Sequence, residues 1–330
     1  MKKNLILPLE IKDRELWGAL SMTKLFVKKK WTIYLGQKQQ LFPFIKCFSS
    51  SVWFLKSIVP GEFSLLKKIK KNNHFISTLD IEGLNPMPGK LGVHARFSEN
   101  TIEIADQIFF WSKYACEQVT NEFLIKKKKY LISGSPNSDA LKYFKNEKNK
   151  KILFLTSFPL YNNYDRKLIK RVYYDNFKKN HISNKNLKNQ FIIHKEGFKD
   201  YKKILIKLLK KNFQVTIRPH PSEKKESWEN IAKNYKNASI SKNKDINDEI
   251  SKHGTIIHFN STAAIQSAYY KKNIIMYFPK KYFKFRYSIS PITLNVSLLC
   301  RNIEQLIKNV NNNKKKTHDL KNFIHFSKKK

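Results

Sequence analysis

The stretch "VTIRPHPSE" (residues 215–223) sets an arginine and a histidine directly after a β-like run, in a chain otherwise crowded with lysine. Pro219 and Pro221 flank His220, and each proline fixes its own φ and confines its predecessor to extended geometry. The imidazole is therefore carried on a stiff backbone. A histidinium held this way can neutralise or protonate a departing phosphate, and Arg218 can meet the same anion with a bidentate fork. The plainer alternative is a polar residue at a strand end. One βα unit further on, "HFNSTAAIQSA" (258–268) places Asn260, Ser261 and Thr262 between a strand and a helix. There they form a helix N-terminus whose free N–H groups and dipole favour an anion, and Ala263 and Ala264 leave room for it to approach. An ordinary helix cap uses the same residue types. What favours chemistry is the pair: a basic strand end and a hydroxyl-rich helix start, both aimed at one crevice.

The first half offers carboxylates. Glu10 follows the first apolar run, and Asp80 and Glu82 follow another in "STLDIEGL". Any of the three could act as general base toward an incoming hydroxyl. Asp80 and Glu82 also form a D-x-E, but no further hard oxygen ligand stands near them in sequence, so no metal is expected. His94 and Arg96 in "GVHARFS" suit either an acidic acceptor or a salt bridge. No G-x-x-x-x-G-K-[ST] loop, no G-x-G-x-x-G after the first strand and no G-x-S-x-G elbow occurs, which removes the P-loop, dinucleotide-binding and hydrolase readings.

The elements that must position these residues alternate. "KNLILPLEI" (3–11) reads as a strand, "RELWGALSMTKLFVKKK" (14–30) as a helix and "WTIYLG" (31–36) as a strand. "HFISTLD", "QIFFWS" and "KYLISGS" continue the strands, with a helix over "KYACEQVTNEFL". After the polar "NEKNKK" (146–151), "ILFLTSFPL" (152–160) opens a second series. A helix over 198–212 with Ile204, Leu205, Leu208 and Leu209 on one face feeds the strand before His220; "GTIIHFNS", a helix and "NIIMYFP" repeat the pattern. The alternation predicts an α/β protein of two Rossmann-like domains, 1–145 and 146–310, with parallel sheets facing an interdomain crevice, and a basic helix or tail over 311–330.

Composition bounds the partners. The 330 residues, 41% hydrophobic, suffice for two cores. Lys and Arg number 65 against 25 acidic residues, a formal charge of +40. That balance invites polyanions, yet the Lys runs lie between apolar segments as solvated faces would, and no zinc-finger spacing or RNA-recognition signature is present. No specific nucleic-acid partner is expected; weak peripheral attraction to anionic lipid is. Cys47, Cys116 and Cys300 form no CxxC pair, which fits a reducing compartment. With no membrane span and no secretory leader in the sequence, a cytoplasmic location is expected, on the inner face of the membrane if peripheral.

"LILPLEIKDREL", "LDIEGL", "ISGSPNSDAL", "IRPHPSE" and "HFNSTAAIQSA" fall in the order found in the surface carbohydrate biosynthesis proteins, which the chain resembles from residue 3 to about 280. These are GT-B-like and related in motif to bacterial Kdo transferases and CDP-glycerol glycerophosphotransferases. The resemblance implies a nucleotide-activated sugar as donor in the C-terminal half and a glycan or lipid-linked acceptor in the N-terminal half, with no cofactor beyond that co-substrate. It extends to the bacterial sialyltransferases, in which a His-Pro pair and a Ser/Thr pair hold the CMP phosphate without a metal. On that pattern His220 is the acid or phosphate-neutralising group, Ser261 and Thr262 bind phosphate beside Asn260 and Ala263, and Arg218 assists. Glu82 and Asp80, then Glu10, are the candidate catalytic carboxylates. "SGSPNSD" departs from the more usual T-G-N-P form, with Ser135 where asparagine is expected. A CMP-activated acidic sugar such as Kdo or a nonulosonic acid is the donor that the resemblance favours. CDP-polyol phosphotransfer, UDP-sugar 2-epimerisation and a basic polyanion-binding module are the alternatives.

Overall fold

Short runs of Ile, Leu, Val and Phe become strands here because both of their faces can be covered, which a parallel sheet flanked by helices provides. The computed structural model describes residues 3–81, 90–165 and 184–312, and the chain divides into two compact units between Tyr143 and Phe144. The first carries β1 (Asn4–Leu9), β2 (Thr32–Gln37), β3 (Ser51–Leu55), β4 (Phe75–Leu79), β5 (Gln107–Phe110) and β6 (Tyr130–Ile132), all parallel in the order β2-β1-β3-β4-β5-β6. Trp53, Ile76, Leu66 and Ile69 fill the core on one face of this sheet. The helix α1 (Lys12–Lys28) joins β1 to β2 but buries small residues, Gly18 and Ala19, and leaves Trp17, Leu20, Leu25 and Val27 exposed. It packs against α2 (Pro136–Ala140) so closely that a Cβ on Gly18 would lie 2.0 Å from Asn137 Oδ1. Any side chain there would have to displace the Asn137 amide.

The second unit carries β7 (Ile152–Leu155), β8 (Val215–Arg218), β9 (Ala238–Ile240), β10 (Thr255–His258), β11 (Asn273–Tyr277) and β12 (Leu298–Cys300). All are parallel, in the order β12-β11-β10-β7-β8-β9. The chain runs outward from β7 through β8 to β9, then returns to β7's other side at β10. The order therefore reverses between β7 and β10, and in open α/β sheets ligands bind beyond the carboxyl ends of the strands at such a point. Register places His258, Leu155 and Arg218 level across β10, β7 and β8, so the residues after them leave the sheet together.

One long helix, α3 (Asn184–Lys210), covers this sheet with Ile193, Tyr201, Ile204, Leu205, Leu208 and Leu209, all buried. Its last turns match the expected helix, but it starts well before residue 198 and runs through Gly197, a residue that weakens helices by roughly 1 kcal/mol relative to alanine. Packing explains the tolerance: a Cβ at Gly197 would lie 2.8 Å from Phe158 Cε1 and 3.3 Å from Phe259 Cε2. Of the expected basic tail, 311–330, Asn311 ends a helix that begins at Ile303, and 313–330 lie outside the described residues.

Candidate functional site

The carboxyl edge of β10, β7 and β8 is organised by a residue that composition alone would not single out. Glu223, the last residue of "RPHPSE", is 2% exposed. Its carboxylate accepts hydrogen bonds from Phe158 N (2.7 Å) and Thr156 Oγ1 (3.0 Å) beyond β7, and from Asn162 Nδ2 (3.2 Å) and Trp228 Nε1 (3.0 Å). Burial pushes this carboxyl up, opposed by those four donors. The loop after β7 and the loop after β8 are thereby locked to each other.

Between β8 and Glu223 the chain makes a turn in which Glu223 N donates to His220 O at 2.8 Å, with Pro221 at the position that favours a preset φ. His220 is exposed, and its Nδ1 accepts from Ser222 N at 3.2 Å. In the neutral ring the proton then sits on Nε2, the tautomer needed to donate outward. Arg218 goes elsewhere. Its guanidinium donates to Ser241 Oγ (3.2 Å), Asn243 O (2.6 Å) and Lys244 O (2.9 Å), with Glu249 3.8 Å away. It fastens the loop after β9, and the two motif residues, two positions apart in the chain, serve different parts of the strand end.

Beyond β10, α4 (Ala263–Tyr269) begins with Thr262 as N-cap, and no side chain caps it from that position. Ser261 Oγ accepts from Ala263 N at 3.3 Å and so occupies one of the N–H groups an anion would use. Asn260 faces inward: its Oδ1 accepts from Ser290 N (3.2 Å) and Thr293 Oγ1 (2.9 Å), holding the segment before Pro291. Thr262 is exposed and Ala263 is buried. Beneath them His258 is wholly buried and accepts at Nδ1 from Ser261 N (3.3 Å), which leaves its Nε2–H to donate to Ser297 Oγ (2.7 Å). Burial pushes its imidazole down to about 3, so it is a neutral structural brace.

A second histidine at this edge was not legible from sequence. His194 on α3 stands against Phe158 and Phe259, with ring centroids 6.2 Å away in each case. Its Nδ1 is buried without a hydrogen-bond partner, and burial, then the neighbouring His220, pushes the imidazole down. A histidine one turn before a glycine in a helix was the only available signal.

In the first unit Asp80 and Glu10 each have partners of their own. Asp80, buried after β4, is held bidentately by Arg96 Nε (2.8 Å) and Nη2, and its carbonyl accepts from Trp111 Nε1 at 2.7 Å. His94, on the same short helix as Arg96, pairs with Glu122 at 2.7 Å. Glu10 contacts both Lys38 (2.6 Å) and Lys56; burial raises its carboxyl, but the two lysines outweigh that and leave it below the usual range. Glu15, missed in sequence because it sits inside a helix, caps the turn after β1 by accepting from Glu10 N (2.8 Å) and Ile11 N (3.2 Å). Glu82 lies outside the described residues. Ser135 caps α2, accepting from Asn137 N at 3.3 Å. Among the described residues no group of three or more His, Cys, Asp or Glu is placed to hold a metal ion, and no helix is long and apolar enough to cross a membrane.

No family model matches the sequence, and no curated protein matches it. Solved structures do match in fold. The UDP-GlcNAc 2-epimerase from Methanocaldococcus jannaschii aligns with a TM-score of 0.53 at 13% identity, over 98% of this chain and 97% of that one. The Neisseria meningitidis UDP-GlcNAc 2-epimerase, solved bound to UDP-GlcNAc, aligns at 0.54 and 12% over 94% and 91%. The wall teichoic acid polymerase TagF aligns at 0.53 and 13% over 94% and 80%. At such identities the likeness is one of fold: α/β, GT-B-like, with two Rossmann-like units.

Proposed function

We propose that the chain is an enzyme acting on a nucleotide-activated sugar, and that it transfers the sugar to a glycan or lipid-linked acceptor in surface polysaccharide assembly. The observation that supports this reading is the placement, on either side of β7 at the switch point of the second sheet, of His220 on a turn after β8 and the Ser261–Thr262 segment after β10. His220, with its proton on Nε2, would donate to the oxygen of the leaving phosphate as the bond between sugar carbon and that oxygen breaks. The Thr262 hydroxyl, and Ser261 after release from Ala263 N, would hold the remaining phosphate oxygens. The acceptor hydroxyl would give its proton to a carboxylate as its oxygen bonds the same carbon. Glu10 is a weak base while two lysines hold it, and Asp80 is bound to Arg96, so this reading assigns the base to Glu82.

Arg218 is committed to its own loop, so this reading rests the leaving group on histidine and takes as donor one that releases a monophosphate, a CMP-activated acidic sugar such as Kdo or a nonulosonic acid. No resident cofactor or metal is assigned. A lipid-linked acceptor and peripheral contact with an anionic membrane are supported by the charge of +40 and by α1, which exposes Trp17, Leu20 and Val27 on the face that bears Lys24 and Lys28.

A second reading, UDP-sugar 2-epimerisation, is favoured by the fold likeness to two such epimerases; CDP-polyol transfer draws on the motif resemblance to CDP-glycerol glycerophosphotransferases. A thermal-shift panel of CMP, CDP, UDP and GDP against the wild type and His220→Ala separates them. Stabilisation by CMP that is lost in the variant supports transfer from a CMP-sugar, and stabilisation by CDP moves the reading to polyol phosphate. Stabilisation by UDP, with a new sugar epimer seen by NMR when no acceptor is added, replaces it with epimerisation. No response to any nucleotide, with salt-sensitive polyanion binding indifferent to His220→Ala, overturns the enzymatic reading.

A further inference from the structure

We propose that His194 is a second imidazole of the phosphate site, forming with His220 a two-histidine clamp on the anionic group of the ligand bound at the carboxyl edge of β10, β7 and β8. The inference rests on placing an anion site at that edge, and it adds a residue that neither the motifs nor the fold likeness assigns.

Position is the first argument. Phe158 follows β7, Phe259 follows β10 and His220 follows β8; His194 is in ring contact with the first two, at interplanar angles of 85° and 75°, and in electrostatic contact with the third. One side chain from a helix thus touches residues that follow both strands of the switch point, β7 and β10. Gly197, one turn further along α3, lets the helix lie against the Phe158 and Phe259 rings at a distance no other residue permits. The close approach delivers His194 to the edge.

The second argument is the ring's unmet hydrogen bonding. Buried polar atoms in folded proteins nearly always have a partner, and an orphan costs stability. His258, equally buried, has both nitrogens bonded, and His253 likewise bonds Glu249 O and Thr216 Oγ1. His194 Nδ1 alone among these histidines has none. Such an atom is tolerated where a ligand supplies the missing partner.

Charge gives the clamp its sense. From β7 and β10 the ring meets Phe158 and Phe259, and the charge of His220 beyond β8 disfavours its protonation; on its own helix Glu196 is engaged by Lys199. Glu223, the acid anchored beneath Phe158, directs its oxygens to four donors. Without an anion, the two imidazoles disfavour each other's positive charge. A phosphate dianion reverses that balance, so its binding is accompanied by proton uptake at the pair.

The phosphate could belong to a nucleotide or be inorganic, and the test separates the two. Full-length protein labelled with 15N in its histidine rings is titrated at neutral pH with CMP, UDP and pyrophosphate, and proton uptake is measured by calorimetry in buffers of different ionisation enthalpy. His194→Phe, which suits the aromatic surroundings, and His194→Asn identify the signal. The expected result is that the His194 resonances change from the neutral to the charged pattern on saturation, and that both variants weaken the anion about tenfold or more while lowering proton uptake. Pyrophosphate engaging both histidines while every nucleotide fails would uphold the clamp and remove the nucleotide-sugar reading. Nucleotide binding with His194 silent and the variants unchanged would overturn the clamp and leave that reading intact. Silence of His194 toward all three anions would overturn it as well.

Discussion

Glu223→Ala tests the architecture of the candidate site without touching any residue assigned to ligand. Four donors converge on this carboxylate, but they do not count equally. The Thr156 hydroxyl can rotate to another partner, and Asn162 Nδ2 already has a second acceptor in Lys224 O at 3.1 Å. Phe158 N and Trp228 Nε1 have no such alternative, and Trp228 is fully buried. Each stranded buried donor costs about 1–3 kcal/mol, so the pair gives about 2–6, reduced somewhat because the wild type bears the cost of burying a carboxylate whose ionisation is already opposed. The expected loss is about 3–4 kcal/mol for Glu223→Ala and roughly half that for Glu223→Gln, which keeps one acceptor oxygen. Urea unfolding monitored through Trp228 reads the first quantity, and hydrogen exchange at the Phe158 amide reads the local one. If the alanine variant were within about 1 kcal/mol of wild type with the Phe158 amide still protected, the latch between the two loops would be refuted.

Three further perturbations address separate parts of the structure. Gly197→Ala forces a methyl to 2.8 Å from Phe158 and should destabilise by about 1–3 kcal/mol, measured as a lowered urea midpoint; a neutral or stabilising outcome would show that α3 does not dock as described. His258 has a folded pKa near 3, below its unfolded value near 6.5, so its contribution to stability is present above about 6.5 and lost as pH falls toward 3. Unfolding at pH 7.5 and 5.5 should differ by up to about 1.4 kcal/mol from this group, and His258→Asn should flatten the slope. Arg96→Ala removes the guanidinium from the buried Asp80 carboxylate and should cost about 3 kcal/mol, whereas Asp80→Asn should cost clearly less; equal effects in thermal denaturation would argue against a charge-driven contact.

The sheet strands were legible where apolar runs are long. "ILFL" and "TIIH" have every residue buried in β7 and β10, and no other element would cover both faces of such short runs. The three-residue β9 and β12 were not legible, since "ASI" and "LLC" carry too little pattern to separate from loop. At the site, the rigidity of "RPHP" was readable because proline acts locally. The destinations of the side chains were not, because they depend on which loops lie beside them: Arg218 turns to the loop at 243–244, and Asn260 to Ser290 and Thr293, partners set by strand order. The apolar residues of α1 illustrate the same limit. Their spacing marked a helix correctly, yet the buried side is the one with Gly18 and Ala19.

The bond from Phe158 N to Glu223 spans 65 positions of chain, and the bridge between Asn163 and Glu223 spans nearly as many. Closing a loop of that length is entropically unfavourable until α3 and β8 have docked, so these contacts belong to the later stages of the unit's assembly. The turn bearing His220 can form early from its own prolines, but its alignment with the end of β7 must await synthesis and docking of everything between. The proposed anion site would therefore be a product of completed folding, and its ligand would report on maturation of the second unit as well as bind to it.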